Sequence, residues 1–308
     1  MRSLALSLAS AAALIACSGD DTNPAVPDAG SADATVDAAP DSGHDAAIVP
    51  TVAGLRVAHW SADAPPVAFC VAAHGTGAFA PLLPEGDAGL DGGAEDLAFL
   101  NVSSYVFVAP GSYDVRAVVG GASDCATPVA PDLTSPPALA AGAMATMALV
   151  GEAHPSDGTI PGLSLAWFLD DLAPAGAVGV RAVNAAPSLP SADFGTGTLE
   201  KSFSPLFDAI PFGTASAPRD GGAPDASPAI DSHGYATSSA LSNATLSAHA
   251  PDGTADSAIA TAVFAASGSV ITFVLVGGSG EDAGAQILEC VDNAGTVGGL
   301  SSCALTTP

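Results

Sequence analysis

The chain has 308 residues and a formal charge of −26 at pH 7, with six Lys and Arg against 32 Asp and Glu. That balance excludes a duplex-binding face: affinity for nucleic acid comes from basic side chains that neutralise phosphates, and Lys201 is the only lysine. With 5% aromatic residues, 34 Gly and 25 Pro, the composition favours turns and short strands over long helices, and no long stretch after residue 50 keeps helical apolar spacing free of Gly and Pro.

The chain opens with Arg2, an apolar run from Leu4 to Ala16, and then Leu14-Ile15-Ala16-Cys17 ahead of Ser18-Gly19-Asp20-Asp21. A charged start, a short apolar run and small residues before a cysteine resemble a bacterial lipoprotein leader, and the run is too short to span a bilayer. Residues 1–16 are therefore expected to be a signal peptide and Cys17 the site of lipid attachment. The acidic surface disfavours adsorption to anionic lipid, so the acyl group would carry membrane attachment. Ser18, in place of an acid beside the cysteine, resembles lipoproteins sent to an outer membrane. Residues 18–50 hold seven Asp, eight Ala and four Pro with no Phe, Trp, Tyr, Lys or Arg. Such a segment buries too little apolar surface to offset the entropy of ordering, so 17–50 is expected to be a disordered stalk.

Beyond the stalk one unit recurs. Leu55-Arg56-Val57-Ala58-His59-Trp60-Ser61-Ala62-Asp63-Ala64-Pro65 returns as Val180-Arg181-Ala182-Val183-Asn184-Ala185-Ala186-Pro187-Ser188-Leu189-Pro190. Gly142 through Leu149-Val150-Gly151 is echoed by Gly268 through Leu275-Val276-Gly277, and Leu169-Asp170-Asp171 by Val291-Asp292-Asn293. A period of this size is that of a domain, which places a first domain at 51–174 and a second at 175–308.

Within the first unit, Tyr105-Val106-Phe107-Val108, Ala109-Pro110-Gly111-Ser112 and Tyr113 to Val118 read as strand, tight turn and strand. Ala143 to Val150 and Leu163 to Leu169 are apolar runs with the look of central strands, matched by Val270 to Val276 and Ala285 to Val291. Short strands between Gly, Pro and Asp clusters fit two tandem antiparallel β-sandwich domains, an all-β fold. The opening at Leu55, the Ala109-Pro110-Gly111-Ser112 turn with its flanks and the closing Leu149-Val150-Gly151 together resemble the family known as domain of unknown function 4397. The resemblance covers 53 to about 172 well and 178 to about 293 less well. It implies an exported, often tandem, immunoglobulin-like sandwich and brings no catalytic residues. The second unit departs from it where an acidic insertion near 215–240 follows Ile210-Pro211-Phe212-Gly213.

With Cys17 lipidated, Cys70, Cys125, Cys290 and Cys303 remain, an even number that implies disulfides in an exported chain. Three connectivities are open. Cys70 with Cys125 and Cys290 with Cys303 is preferred, because each pair then lies within one unit. No C-x-x-C or neighbouring His supports a metal site, and no metal or cofactor is expected.

Few residues recommend themselves for chemistry. Asp87, Asp91, Glu95 and Asp96 lie on an acidic stretch that could gather calcium, but their spacing matches no EF-hand and a solvated loop is the simpler expectation. His59 and His74, with Asp63 as an orienting acid, could form a zinc or catalytic site. Asn184 replaces His59 in the second unit, however, so His59 is expected to be a half-buried strand residue. Arg56 and Arg181 occupy equivalent places and are expected to make ion pairs that order the sheet edge. Gly277-Gly278-Ser279-Gly280 lacks the closing Gly of a nucleophile elbow, and Glu200 stands where a phosphate loop needs Gly before Lys201. The expectation is a non-enzymatic, lipid-anchored envelope protein that binds an envelope protein or glycan or works structurally. A calcium- or glycan-binding surface module and an exported hydrolase are the alternatives.

Overall fold

A computed structural model describes residues 51–83, 96–172, 179–198, 201–217, 230–237, 245–251, 261–263, 270–277, 284–292 and 302–305. Every regular element among these residues is a strand, as the composition requires. The leader, Cys17, the stalk and the core of the acidic insertion (218–229) lie outside the described residues.

The first half contains β1 (Ala53–His59), β2 (Val67–Ala73), β3 (Ala80–Pro81), β4 (Val106–Val108), β5 (Tyr113–Val119), β6 (Met144–Val150) and β7 (Ser164–Asp170). They build two sheets, ordered β4-β1-β6-β7 and β3-β2-β5. The second half contains β8 (Gly179–Ala185), β9 (Ser191–Thr198), β10 (Lys201–Pro211), β11 (Thr214–Ala215), β12 (Ala236–Thr237), β13 (Thr245–His249), β14 (Thr261–Val263), β15 (Val270–Val276), β16 (Gln286–Asp292) and β17 (Ser302–Leu305). Their sheets run β11-β8-β15-β16-β17, with β12 also on β8, and β10-β9-β13-β14.

Pairing is mostly antiparallel, with one departure in each half. β1 runs parallel to β6 and β8 runs parallel to β15, Arg56 facing Thr146 and Arg181 facing Thr272 in the same register. A parallel neighbour needs a long crossover. In the first half the chain between β1 and β6 supplies the whole β3-β2-β5 sheet and also β4, which pairs with the other edge of β1.

The turn at Ala109 to Ser112 does not make the expected hairpin. β4 pairs with β1 while β5 pairs with β2, so this turn carries the chain from one sheet to the other. The Tyr113 hydroxyl donates to the Ala109 carbonyl at 2.5 Å and pins that corner. β7, read as a central strand, ends its sheet.

Three large apolar cores and a small one around Cys70, Val118 and Cys125 explain the patterning among the described residues, and residues Ile48–Pro308 belong to one unit. Leu55, Val57, Phe69, Val115 and Met147 pack between the two sheets of the first half, and Phe194, Phe207, Ile271 and Phe273 between the two of the second. The third core contains Trp60, Ala148, Phe168, Val183, Val274 and Leu288, drawn from both halves. The β4-β1-β6-β7 sheet thus stacks on the β8 sheet back to back. A strand in such a middle layer has a core on each face, which is why β1, β8 and β15 are buried at every residue. Each fully buried Phe or Leu in these layers contributes about 1.5–3 kcal/mol.

Two disulfides close loops. Cys70 joins Cys125 and Cys290 joins Cys303, the preferred pairing. Cys290 and Cys303 face one another across β16 and β17 with Cα atoms 4.1 Å apart.

Candidate functional site

The third core is apolar except along one line, where the charge is concentrated. Arg56 on β1, Thr146 on β6, Asp170 on β7, Arg181 on β8 and Thr272 on β15 all point into it and are all buried. Arg56 Nε donates to Thr146 Oγ1 (2.6 Å), which donates to Asp170 Oδ2 (2.6 Å). From the other half Arg181 Nη2 donates to Asp170 Oδ1 (2.5 Å) and to Thr272 Oγ1 (3.2 Å), and Arg181 Nη1 donates to the Leu169 carbonyl (2.7 Å). The Tyr105 hydroxyl donates to Asp170 at 2.8 Å. Each guanidinium also lies over a tyrosine ring, Arg56 over Tyr105 at 4.8 Å and Arg181 over Tyr235 at 4.7 Å.

Burial alone would raise the Asp170 carboxyl, but Arg181, then Arg56, and the Thr146 hydroxyl outweigh it and hold the group below the ordinary range. Asp170 is therefore a fixed anion between two cations. The expected ion pairing of Arg56 and Arg181 is present, both with Asp170, but its place is corrected. β1 and β8 are interior strands, and the pair lies between stacked sheets, because a guanidinium in that dry layer must be paired.

The alternative cluster of His59, His74 and Asp63 does not assemble. His59 is 0% exposed, fully and not half buried. Its Nε2 meets the Pro65 carbonyl at 3.0 Å and its Nδ1 accepts the Ser61 amide at 3.3 Å. Burial lowers its pKa, so the ring is neutral. Asn184 does the same work in the second half, donating to the Leu189 and Ile210 carbonyls and accepting the Ala186 amide. Both side chains tie down the loop that follows their strand. Asp63 instead accepts the Ala153 and His154 amides, each at 2.8 Å. Burial by itself would raise its pKa, and these amides bring it below the ordinary range.

Of the acidic stretch, Asp87, Asp91 and Glu95 lie outside the described residues, and Asp96 accepts the Gly121 amide at 2.9 Å.

His74 belongs to a group that sequence reasoning missed. Its Nδ1 lies 2.7 Å from Asp114 Oδ1, and Asp114 also accepts the Gly75 and Ser135 amides. The His74 bond, then the Gly75 amide, lower the Asp114 pKa. Ser135, with φ of 60°, brings its hydroxyl to 3.1 Å from His74 Nε2, which completes the residue types of a hydrolytic triad. The same oxygen is 3.5 Å from Nδ1. An oxygen in line with the Nε2 lone pair would lie about 5 Å from Nδ1, so this hydroxyl sits over the ring and is not aligned to give up its proton.

A cleft of about 300 Å³ opens beside the charged core, lined by Trp167, Phe168, Arg181, Ser216, Ser232 and His233 among others. Ser216 builds one wall: its hydroxyl accepts the Ala182 amide and donates to the Gly234 carbonyl, at 3.1 and 2.7 Å. Gly234 has φ of 87°, and a Cβ there would strike the Ser216 carbonyl, so only glycine fits. Ser103 and Ser104 make the matching contacts in the first half, where Ser103 accepts the Val57 amide and donates to the Ser104 carbonyl. The acidic insertion therefore enters between Ser216 and Gly234, inside an element that is continuous as Ser103-Ser104-Tyr105. At its end, Asp171, Asp231 and His233 bring one ligand atom each within 4.8 Å of one another. The repeat alignment hid these residues, because Asp231 and His233 have no counterpart in the first half.

Residues 53–195 match the family described as domain of unknown function (DUF4397). The match is a single stretch corresponding to one copy; it takes in β8 and most of β9 and so crosses the expected boundary at 174. No curated protein matches the chain.

Proposed function

We propose that the chain is an exported cell-envelope protein, tethered through an acylated Cys17 to the outer membrane. Its two tandem β-sandwich copies bind an envelope protein or glycan, or carry load, without catalysis. The observation that supports this reading best is the use of the buried polar groups. Arg56, Thr146, Asp170, Arg181 and Thr272 are spent on joining two stacked sheets, and His59 and Asn184 on holding loops. Two disulfides fit an oxidising compartment, and the composition of 17–50 fits a spacer that holds a rigid body away from a surface. Binding would then use surface and loops, the usual place for recognition on a sandwich scaffold.

Mass spectrometry of the mature N-terminus, with membrane fractionation of wild type and Cys17→Ser, tests the tether. Wild type should carry acyl chains on Cys17 and sediment with outer membranes, while Cys17→Ser should be released in soluble form. An unmodified Cys17 in mature protein would refute it. Capture of envelope components with the acylated full chain then separates binding from load bearing.

A further inference from the structure

We propose that Asp171, Asp231 and His233 form a site for a divalent cation of the first transition row, with zinc the natural probe. The site would tie the end of β7 to the loop ahead of β12. Among the described residues, this group brings three potential ligand atoms within 4.8 Å of one another. Two carboxylates and an imidazole make a mixed oxygen and nitrogen set. Imidazole favours zinc and its neighbours over calcium or magnesium, and the two negative charges balance a divalent ion.

The loop supplies these ligands on a set frame. Asp231 Oδ1 accepts the His233 amide at 2.8 Å and the Tyr235 amide at 2.9 Å, and the Asp231 amide donates to the Tyr235 carbonyl at 2.9 Å. Asp171 directly follows Asp170, whose position is set by Arg181 and Thr146. Both sides of the site thus adjoin the charged core, Asp171 through Asp170 and the loop through Tyr235, whose ring lies under Arg181.

A second observation points to an occupant at the same place. His233 and Ser232 line the cleft together with Arg181, a residue 1% exposed whose buried Nε–H has no hydrogen-bond partner. A buried donor of this kind costs free energy until an acceptor reaches it. A water or anionic oxygen brought into the cleft by a bound metal ion would offer such an acceptor. Three protein ligands leave coordination positions open on that side, as zinc sites that exchange a fourth ligand do.

Calorimetric titration of the full chain with zinc chloride tests the assignment, alongside His233→Ala, Asp171→Asn and Asp91→Asn, the last placed in a different acidic stretch. The turn is held by the His233 amide and not its ring, so metal-free melting of His233→Ala should match wild type. One equivalent of zinc should bind to wild type and to Asp91→Asn. His233→Ala and Asp171→Asn should each bind at least about tenfold more weakly. Cobalt-loaded wild type should show visible absorption bands that His233→Ala lacks. Equal zinc affinity across all four proteins, or no saturable binding at millimolar zinc, would overturn the proposal.

Discussion

Replacing Asp170 with Ala tests whether the junction of the two sheets depends on its charge. The side chain is fully buried and accepts from Thr146 at 2.6 Å, from Tyr105 at 2.8 Å and from Arg181 at 2.5 Å. Its loss strands the Arg181 guanidinium in a layer made of Phe168, Val183 and Val274. Hydrogen bonds to a charged carboxylate are worth about 1.5–3 kcal/mol each, though not additively, and the same loss leaves a buried cation without its anion. Breaking buried pairs typically costs about 3–5 kcal/mol, so the substitution should lower unfolding free energy by about 4 kcal/mol. Urea unfolding followed by tryptophan fluorescence and by circular dichroism measures this. Trp60 and Trp167 lie in the first half, so coincident transitions also report whether both halves unfold together. Removing the charges outright should hurt less: Asp170→Leu with Arg56→Met and Arg181→Met should recover much of the loss, because apolar isosteres carry no desolvation cost. A loss under about 1 kcal/mol in Asp170→Ala, or a triple variant worse than the single, would refute the charge-locking account.

How much of this was legible in the sequence depends on whether one strand or a stack of sheets decides the matter. The strands themselves were legible, since Gly, Pro and Asp clusters cut the chain into short apolar runs such as Val270 to Val276. The hairpin at Ala109 was misread because local turn chemistry is the same whether the next strand pairs with the last or crosses to another sheet. Sequence equivalence of Arg56 and Arg181 was visible, but not the layer they occupy. Small and apolar residues prevail on both faces of β1 and β8, which signals burial on both, and an arginine inside such a strand belongs in a dry interior and not at an edge. His59 carried the opposite lesson. Its replacement by Asn184 marked a shared hydrogen-bonding role, since both residues accept the amide two positions on. The Asp171, Asp231 and His233 group could not be found by alignment. Asp171 sits 60 positions before Asp231, and the insertion that brings the group together is written in one half alone.

Three further outcomes are expected. Replacing Cys70 and Cys125 with Ala should cost about 4 kcal/mol and replacing Cys290 and Cys303 about 3 kcal/mol, because the loops closed span 55 and 13 residues; thermal melts of the two variants should rank them in that order. Acid should loosen the loops around Asp114 and Asp63. Both carboxyls lie below their ordinary value in the folded chain, so the stability they add is complete above about pH 4 and is lost as pH falls through their folded pKa. Amide exchange at Gly75, Ser135, Ala153 and His154, corrected for intrinsic rate, should rise there, and in Asp114→Asn it should already be raised at Gly75 and Ser135 at neutral pH. His59 behaves in the reverse sense to an exposed histidine. Burial holds its folded pKa below the unfolded value near 6.5, so the unfolded chain binds the extra proton first and stability falls as pH drops below about 6.5. His59→Asn copies the solution used at Asn184 and should stay within about 1 kcal/mol of wild type at pH 8 while losing part of the decline between pH 7 and 5. His59→Ala removes the same titration but leaves the buried Ser61 amide without an acceptor, at a cost of about 1–3 kcal/mol at every pH. Should Asn and Ala prove equally damaging at pH 8, the ring would be there for its volume alone, and the equivalence with Asn184 would be one of position without shared function.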